Sequence, residues 1–280
     1  MFSNILVIGA GTMGAGVASQ FALKGFNVTI LVRSEEKVIC LKPELEKLVK
    51  RSLKRMQLKE SQSDVLDKID IVKELANEAS YDFVFEAISE NINQKKQIIQ
   101  DYTGFITENT IWATNTSSLS VTDMAAGYKY PENFIGIHFF NPVASMELVE
   151  IIPSMLTSTS VVDKCWDFCT LLQKKPVRVK DSPGFIVNRL LIPMINEAVE
   201  ILSSQVASAE EIDSAMKLGA HHPLGPLALA DLIGNDVCLS IMEALYTATS
   251  DSKYRPSYLL RKMVSAKKLG RKTGIGFYSY

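Results

Sequence analysis

The chain has 280 residues and a mass of 31.0 kDa, enough for one large or two moderate domains around an ample buried core. With 47% hydrophobic residues, 22% charged residues and a formal net charge of -1, it reads as a soluble globular protein with no global field to gather nucleic acid or anionic lipid, so neither is expected as a partner. No apolar run approaches the roughly 20 residues needed to span a bilayer, and the amino terminus lacks the basic region and cleavage site of a signal peptide, so a cytoplasmic protein is expected.

The first element is Asn4-Ile5-Leu6-Val7-Ile8, a strand that runs into Gly9-Ala10-Gly11-Thr12-Met13-Gly14 and then into a helix. Gly9, Gly11 and Gly14 satisfy G-x-G-x-x-G in the context that binds a dinucleotide pyrophosphate. The roles are a tight turn at Gly9, close approach of the pyrophosphate at Gly11, and close helix–strand packing at Gly14. Amides at the helix start supply the anion site. The next strand is 28–32. An NAD site usually carries an Asp or Glu there, about 20 residues past the glycines, for the ribose hydroxyls. Here Val32 is followed by Arg33-Ser34. The missing carboxylate removes repulsion from a 2'-phosphate, and a guanidinium can pair with that phosphate bidentately. The expected cofactor is therefore NADP(H). NAD(H) remains the alternative, with Arg33 as a solvated surface residue.

Residues 35–60 are too long for a simple crossover and read as a long helix or helical hairpin projecting from the sheet. Lys47, Lys50, Arg51, Lys54 and Arg55 fall at i, i+3, i+4, i+7 and i+8, one basic stripe on a helix. It could take the phosphates of a coenzyme or form a solvated face. Further strands are expected at 69–72, 82–86, 110–114, 134–138, 147–152 and 177–180, with helical stretches between most of them. That alternation argues for a mainly parallel sheet covered on both faces. Asn115-Thr116-Ser117-Ser118 follows one such strand. Its hydroxyls can bind a substrate oxygen or cap the next helix, through Ser118 or Ser120. His138 ends another strand, where ligand crevices of doubly wound sheets lie, and is a candidate general acid/base. Glu150, among apolar residues of the following strand, needs a partner, and pairing would orient the imidazole. A purely structural His–Glu pair is the alternative.

The pattern changes at Asp181-Ser182-Pro183-Gly184-Phe185, after which helices are expected at 187–203, 208–218, 226–248 and 256–267. The expected fold class is α/β, a Rossmann-type doubly wound sheet with a C-terminal all-helical domain. Residues 1–182 would bind the dinucleotide and carry the projecting helical segment. Residues 183–280 would form a helical substrate and dimerisation domain, making a homodimer the expected assembly. Four scattered cysteines, Cys40, Cys165, Cys169 and Cys238, form no CxxC pair and read as reduced, buried thiols. No metal is expected. Cys165 and Cys169 lack further ligands nearby, and the adjacent His221 and His222 point oppositely, so the latter pair reads as structural.

Several segments in order, across essentially the whole chain, resemble the 3-hydroxyacyl-CoA dehydrogenases, most closely the bacterial 3-hydroxybutyryl-CoA type. They are Gly9–Gly16, Glu86-Ala87, Asn115–Ser120, His138-Phe139-Phe140-Asn141-Pro142, Asp181–Arg189, Gly225-Pro226-Leu227 and Gly270–Tyr278. The resemblance implies a Rossmann-type dehydrogenase that interconverts acetoacetyl-CoA and (S)-3-hydroxybutyryl-CoA. It implies that His138 moves the proton of the 3-hydroxyl group and that Glu150 pairs with it. Ser117 and Asn188 would hold the substrate oxygens. It further implies that Thr12, Met13, Ala87, Glu90, Lys95, Asn115, Asn141 and Lys272 contact the cofactor or its surroundings, and that Lys50 and Lys54 bind coenzyme A. The departure is Val32, where NAD-using members carry Asp. Two rivals stand beside this reading: a dehydrogenase of small 3-hydroxy acids without CoA, which generally relies on a lysine near the domain junction, and a non-enzymatic binding or structural protein on the same fold.

Overall fold

The computed structural model describes residues 2–76 and 79–280. The chain forms two compact units. One comprises residues 1–116 and 120–181, and the other residues 117–119 and 182–280.

The first unit is built on one eight-stranded sheet of order β3-β2-β1-β4-β5-β6-β7-β8. In chain order the strands are β1 (Asn4–Ile8), β2 (Asn27–Leu31), β3 (Ile69–Val72), β4 (Phe83–Glu86), β5 (Ile111–Thr114), β6 (Phe134–Phe139), β7 (Leu148–Pro153) and β8 (Lys175–Arg178). The helices of this unit are α1 (Thr12–Leu23), α2 (Glu35–Met56), α3 (Gln62–Leu66), α4 (Ile92–Asp101), α5 (Val121–Ala125) and α6 (Thr159–Leu171). The fold is thus a Rossmann-like doubly wound sheet. Every neighbouring pair is parallel except β6 and β7, which run antiparallel.

The central strands β4, β5 and β6 are buried along their whole length. That is why they read as apolar runs up to Glu86, Thr114 and His138 near their carboxyl ends: both faces of the sheet are covered, so no polar alternation is needed. An aromatic cluster fills one face, with Phe21, Phe83, Phe85 and Phe168 in contact at centroid distances of 5.0–6.2 Å.

Residues 35–60 do not project as a hairpin. Of these, Glu35–Met56 form the single long helix α2, capped by Ser34, whose side chain accepts from the Lys37 amide, and the helix ends at Gln57. Leu41, Leu45, Val49 and Ser52 make its buried face, and Gln20 Nε2 of α1 donates to Ser52 Oγ at 3.1 Å. Apolar residues at helical spacing lay this helix along α1. Cys40 falls on its outer side and is exposed, unlike the other three thiols, so the expectation of four buried cysteines fails there. The last strand is Lys175–Arg178 rather than 177–180, because pairing with β7 runs from Leu148↔Lys175 to Ile151↔Arg178.

The second unit is helical: α7 (Val187–Ser203), α8 (Ala209–Gly219), α9 (Pro226–Ile233), α10 (Asn235–Thr249) and α11 (Tyr258–Ser265). The stretch expected as one helix, 226–248, is two, because Gly234 adopts φ +108° and breaks the backbone between them. The helix expected at 256–267 is shorter and starts after Ser257, whose amide donates to Asn196 Oδ1.

Two buried carboxylates organise this unit. Asp213 accepts from the amides of Leu227 and Ala228 at the start of α9 and from the Tyr278 hydroxyl. Asp231 accepts from the amides of Phe277 and Tyr278 and from Asn235 Nδ2. The glycine-rich closing segment therefore wraps around two anions that would otherwise be buried unpaired. Among the described residues no helix is long and apolar enough to cross a membrane.

Candidate active site

The first turn after β1 meets the end of β4 at the reversal of strand order, where doubly wound sheets open a ligand crevice. Gly9 has φ +106°, and a Cβ there would stand 2.6 Å from the Ala87 carbonyl oxygen. A Cβ on Gly14 would come within 1.9 Å of the Gly9 carbonyl oxygen. A Cβ on Gly11 meets nothing within 4 Å. Two of the three glycines therefore let protein approach protein, whereas Gly11 faces space. The residues present fit a dinucleotide: a groove of about 660 Å³ is lined by Gly9, Gly11, Arg33, Ser34, Ala87 and Tyr102, among others. Thr12 and Met13 open α1 beside it.

At the carboxyl ends of β4 and β5 sits a fully buried polar knot. The Glu86 carboxylate accepts from Lys95 Nζ at 2.7 and 2.9 Å, from Thr114 Oγ1 at 2.6 Å and from the Ile88 amide at 2.7 Å. Glu86 and Lys95 are each 0% exposed, and so many partners are what a buried ion pair requires. Lys95 is thus held by Glu86, with Glu90 Oε2 at 3.9 Å. Glu90 also accepts from Thr116 Oγ1 at 2.7 Å. Asn115 Oδ1 accepts from the Phe139 amide at 3.1 Å and so ties the end of β5 to the end of β6.

His138 lies on β6, 4% exposed, and Glu150 on β7, 1% exposed. The antiparallel register sets them directly opposite each other. Cross-strand neighbours on one face are in side-chain contact, and here His138 Nδ1 stands 2.7 Å from Glu150 Oε2. At that spacing the Nδ1–H of the ring donates to the carboxylate, which fixes the orientation of the imidazole. The Phe140 ring packs on the imidazole at a centroid distance of 4.5 Å.

The connection between β6 and β7 is clamped from outside the sheet. Lys174 Nζ donates to the Val143 and Met146 carbonyls at 2.5 and 2.9 Å, and Arg55 of α2 donates to the Ala144 and Ser145 carbonyls. Burial first, and the Arg55 guanidinium second, hold the Lys174 amine below its ordinary value. Arg55 therefore leaves the expected basic stripe. Lys47, Lys50, Arg51 and Lys54 remain exposed on α2. Asn141, also exposed, precedes a cis peptide bond to Pro142.

Other candidates lie in the helical unit. Ser117 belongs to it as part of residues 117–119, although the segments on either side of these three do not, and Asn188 Nδ2 donates to the Ser117 carbonyl at 3.4 Å. Lys272 is paired with Asp236 at 2.6 Å. His221 and His222 lie in the turn after α8, where the His222 amide donates to the Met216 carbonyl. Ser120 is the N-cap of α5, and Asp181 accepts from the Val121 and Thr122 amides of the same helix.

Sequence reasoning quoted Glu86 without giving it a role and missed Tyr102, Lys174 and Lys73, the last a further cation lining the nucleotide groove. A signal for Lys73 was present: like Arg33, it is a cation just past the end of an expected parallel strand.

Comparison with known proteins supplies the remaining observations. Residues 4–182 match the family model described as 3-hydroxyacyl-CoA dehydrogenase, NAD binding domain, and residues 184–280 match the C-terminal domain model of the same family. The chain is 47% identical to a 3-hydroxybutyryl-CoA dehydrogenase of Clostridioides difficile, over 99% of both chains. It is 44% identical to one of Bradyrhizobium diazoefficiens, over 100% of this chain and 96% of the other. Among solved structures, an (S)-3-hydroxybutyryl-CoA dehydrogenase from Ralstonia eutropha superposes with a TM-score of 0.94 at 44% identity, covering 100% of this chain and 99% of that one.

Proposed function

The chain belongs to the 3-hydroxyacyl-CoA dehydrogenase family, and from that premise we propose that it interconverts acetoacetyl-CoA and (S)-3-hydroxybutyryl-CoA with NADP(H). The observation that carries the chemistry is the buried His138–Glu150 pair at the carboxyl end of β6. The observation that favours NADP(H) is the absence of a carboxylate at the end of β2 together with Arg33 in the groove wall.

When bound, the cofactor supplies or takes the hydride at the C4 position of its nicotinamide. In the reductive direction His138 Nε2 gives its proton to the C3 oxygen of the acyl chain as that oxygen gains negative charge. Glu150 holds Nδ1 and stabilises the protonated ring before the transfer. In the oxidative direction Nε2 takes the hydroxyl proton back. Ser117 and Asn188 hold the 3-oxygen and the thioester oxygen, donors aimed where charge develops. Met13, Thr12, Asn115, Asn141, Glu90, Lys95 and Lys272 shape the cofactor's surroundings, Lys95 through its grip on Glu86. Lys50 and Lys54 on the outer face of α2 take the phosphates of coenzyme A. Residues 183–280, which make up most of the helical unit, contribute substrate contacts and a homodimer interface. Leu190, Leu218 and Tyr258 of this unit are exposed, at 71%, 80% and 73%, and would be covered by such an interface.

The test is the initial rate of acetoacetyl-CoA reduction with NADPH and NADH in parallel. Higher efficiency with NADPH supports the reading. In that case Arg33→Ala combined with Val32→Asp should move preference toward NADH. Higher efficiency with NADH keeps the dehydrogenase and favours NAD(H), the second reading, which the family's NAD-binding description supports. Equal turnover of the acid without CoA would favour a non-CoA 3-hydroxy acid dehydrogenase. No turnover at all would favour a binding protein.

A further inference from the structure

Lys73 has no part in the chemistry proposed above, yet its position is set by the sheet. Strands β2 and β3 are parallel with Leu31 level with Val72, and the Val32 amide donates to the Val72 carbonyl at 2.9 Å. Lys73 therefore leaves β3 level with Val32, one residue before Arg33. Arg33, Ser34, Lys37 and Lys73 all line the same groove. The Arg33 charge is felt by Tyr102, another lining residue, where it opposes the upward push of burial on the phenol.

Lys73 Nζ pairs with Glu35 Oε2 at 2.9 Å, and both side chains are well exposed, at 49% and 66%. A solvated pair of this kind is easily rearranged. Glu35 is the first residue of α2, two positions past Arg33. An unmasked carboxylate there opposes a phosphate monoester, which carries about two negative charges near neutral pH. One guanidinium neutralises only about half of that charge, so a monoester in this groove calls for a second cation and a masked Glu35.

We propose that Lys73 is that second cation, pairing with the ribose 2'-phosphate opposite Arg33 while Glu35 turns to solvent. This rests on the NADP(H) reading and extends it from one residue at the end of β2 to a two-strand subsite. Lys73 and Glu35 thereby become residues that set cofactor specificity, one favourable and one opposed.

The test is calorimetric titration with adenosine 2',5'-bisphosphate and with 5'-AMP, which needs no turnover. The wild-type protein should bind the bisphosphate at least about tenfold more tightly than AMP. Lys73→Ala should lose about tenfold for the bisphosphate and nothing for AMP, the low end of what one charge-assisted hydrogen bond contributes. Lys73→Arg should retain the preference. Glu35→Gln should tighten the bisphosphate about two- to threefold and recover part of the loss when combined with Lys73→Ala. A wild-type protein without preference overturns the NADP(H) reading and this inference with it. A preference lost in Arg33→Ala but intact in Lys73→Ala overturns this inference alone. Equal weakening of both ligands in Lys73→Ala also overturns it, because the lysine would then act on the groove as a whole.

Discussion

Replacing Glu150 by glutamine keeps the shape of the buried pair and removes its charge. His138 Nδ1 is 2.7 Å from the Glu150 oxygen, so the two charge centres are about 4 Å apart when the imidazole is protonated. At that separation, with an effective dielectric of about 20, the attraction is on the order of 4 kcal/mol. A glutamine carbonyl still accepts from the ring and keeps about 1 kcal/mol of hydrogen bonding. Charged to the proton-transfer step, the difference of about 3 kcal/mol corresponds to a loss of roughly 100- to 200-fold in rate. The expected result for Glu150→Gln is therefore a fall in kcat of about 100-fold, with KM for acyl-CoA and dinucleotide changed less than about threefold. Steady-state rates of acetoacetyl-CoA reduction measure both, and a thermal melt checks that the variant is folded. A folded variant whose kcat stays within about fivefold of wild type would refute the reasoning and leave the pair a structural device.

The glycines should separate folding from binding. Gly14→Ala pushes a methyl into the Gly9 carbonyl and should cost about 1–3 kcal/mol as overpacking, read as a lower Tm. Gly11→Ala meets no protein atom, so Tm should hold while dinucleotide affinity falls at least about tenfold by fluorescence titration; a lower Tm with unchanged affinity would contradict this. Lys95→Met strands the fully buried Glu86 carboxylate and should cost about 3–5 kcal/mol in urea denaturation, with most of it restored by adding Glu86→Gln. A cost under 1 kcal/mol would mean that the knot relaxes or admits water. Burial pushes the Cys165 thiol well up and the Cys169 and Cys238 thiols up to about 12, so thiolate is scarce at pH 8 and grows only in strong alkali. Only the exposed Cys40 should react with a disulfide reagent in the native protein, and all four after denaturation; more than one fast native thiol would be against it.

Much of the fold and part of the site are legible along the chain, because their signals are local. A strand, a glycine turn and a helix are adjacent in sequence, so Gly9, Gly11 and Gly14 announce themselves. The buried strands are short apolar runs, and the helices of the second unit follow apolar periodicity. Errors fall where one backbone dihedral or one packing choice outweighs composition. Gly234 sits inside an apolar helical pattern, and only its left-handed φ shows that the pattern is two helices. Cys40 looks like any other isolated cysteine until Leu41, Leu45 and Val49 choose which side of α2 faces α1.

The sequence by itself determined the class of fold, the anion-binding turn, the uncharged end of β2 and the position of His138 at a strand's carboxyl end. Each depends on residues within a few positions of one another. The tertiary structure decided which distant groups meet. Antiparallel register sets Glu150 against His138, parallel register brings Lys73 level with the end of β2, and the ends of β4 and β5 bury Glu86 with Lys95. The physical reason is that pairing between strands is satisfied by backbone groups common to all residues. Composition can therefore propose a strand, but only the assembled sheet says which side chains stand opposite each other.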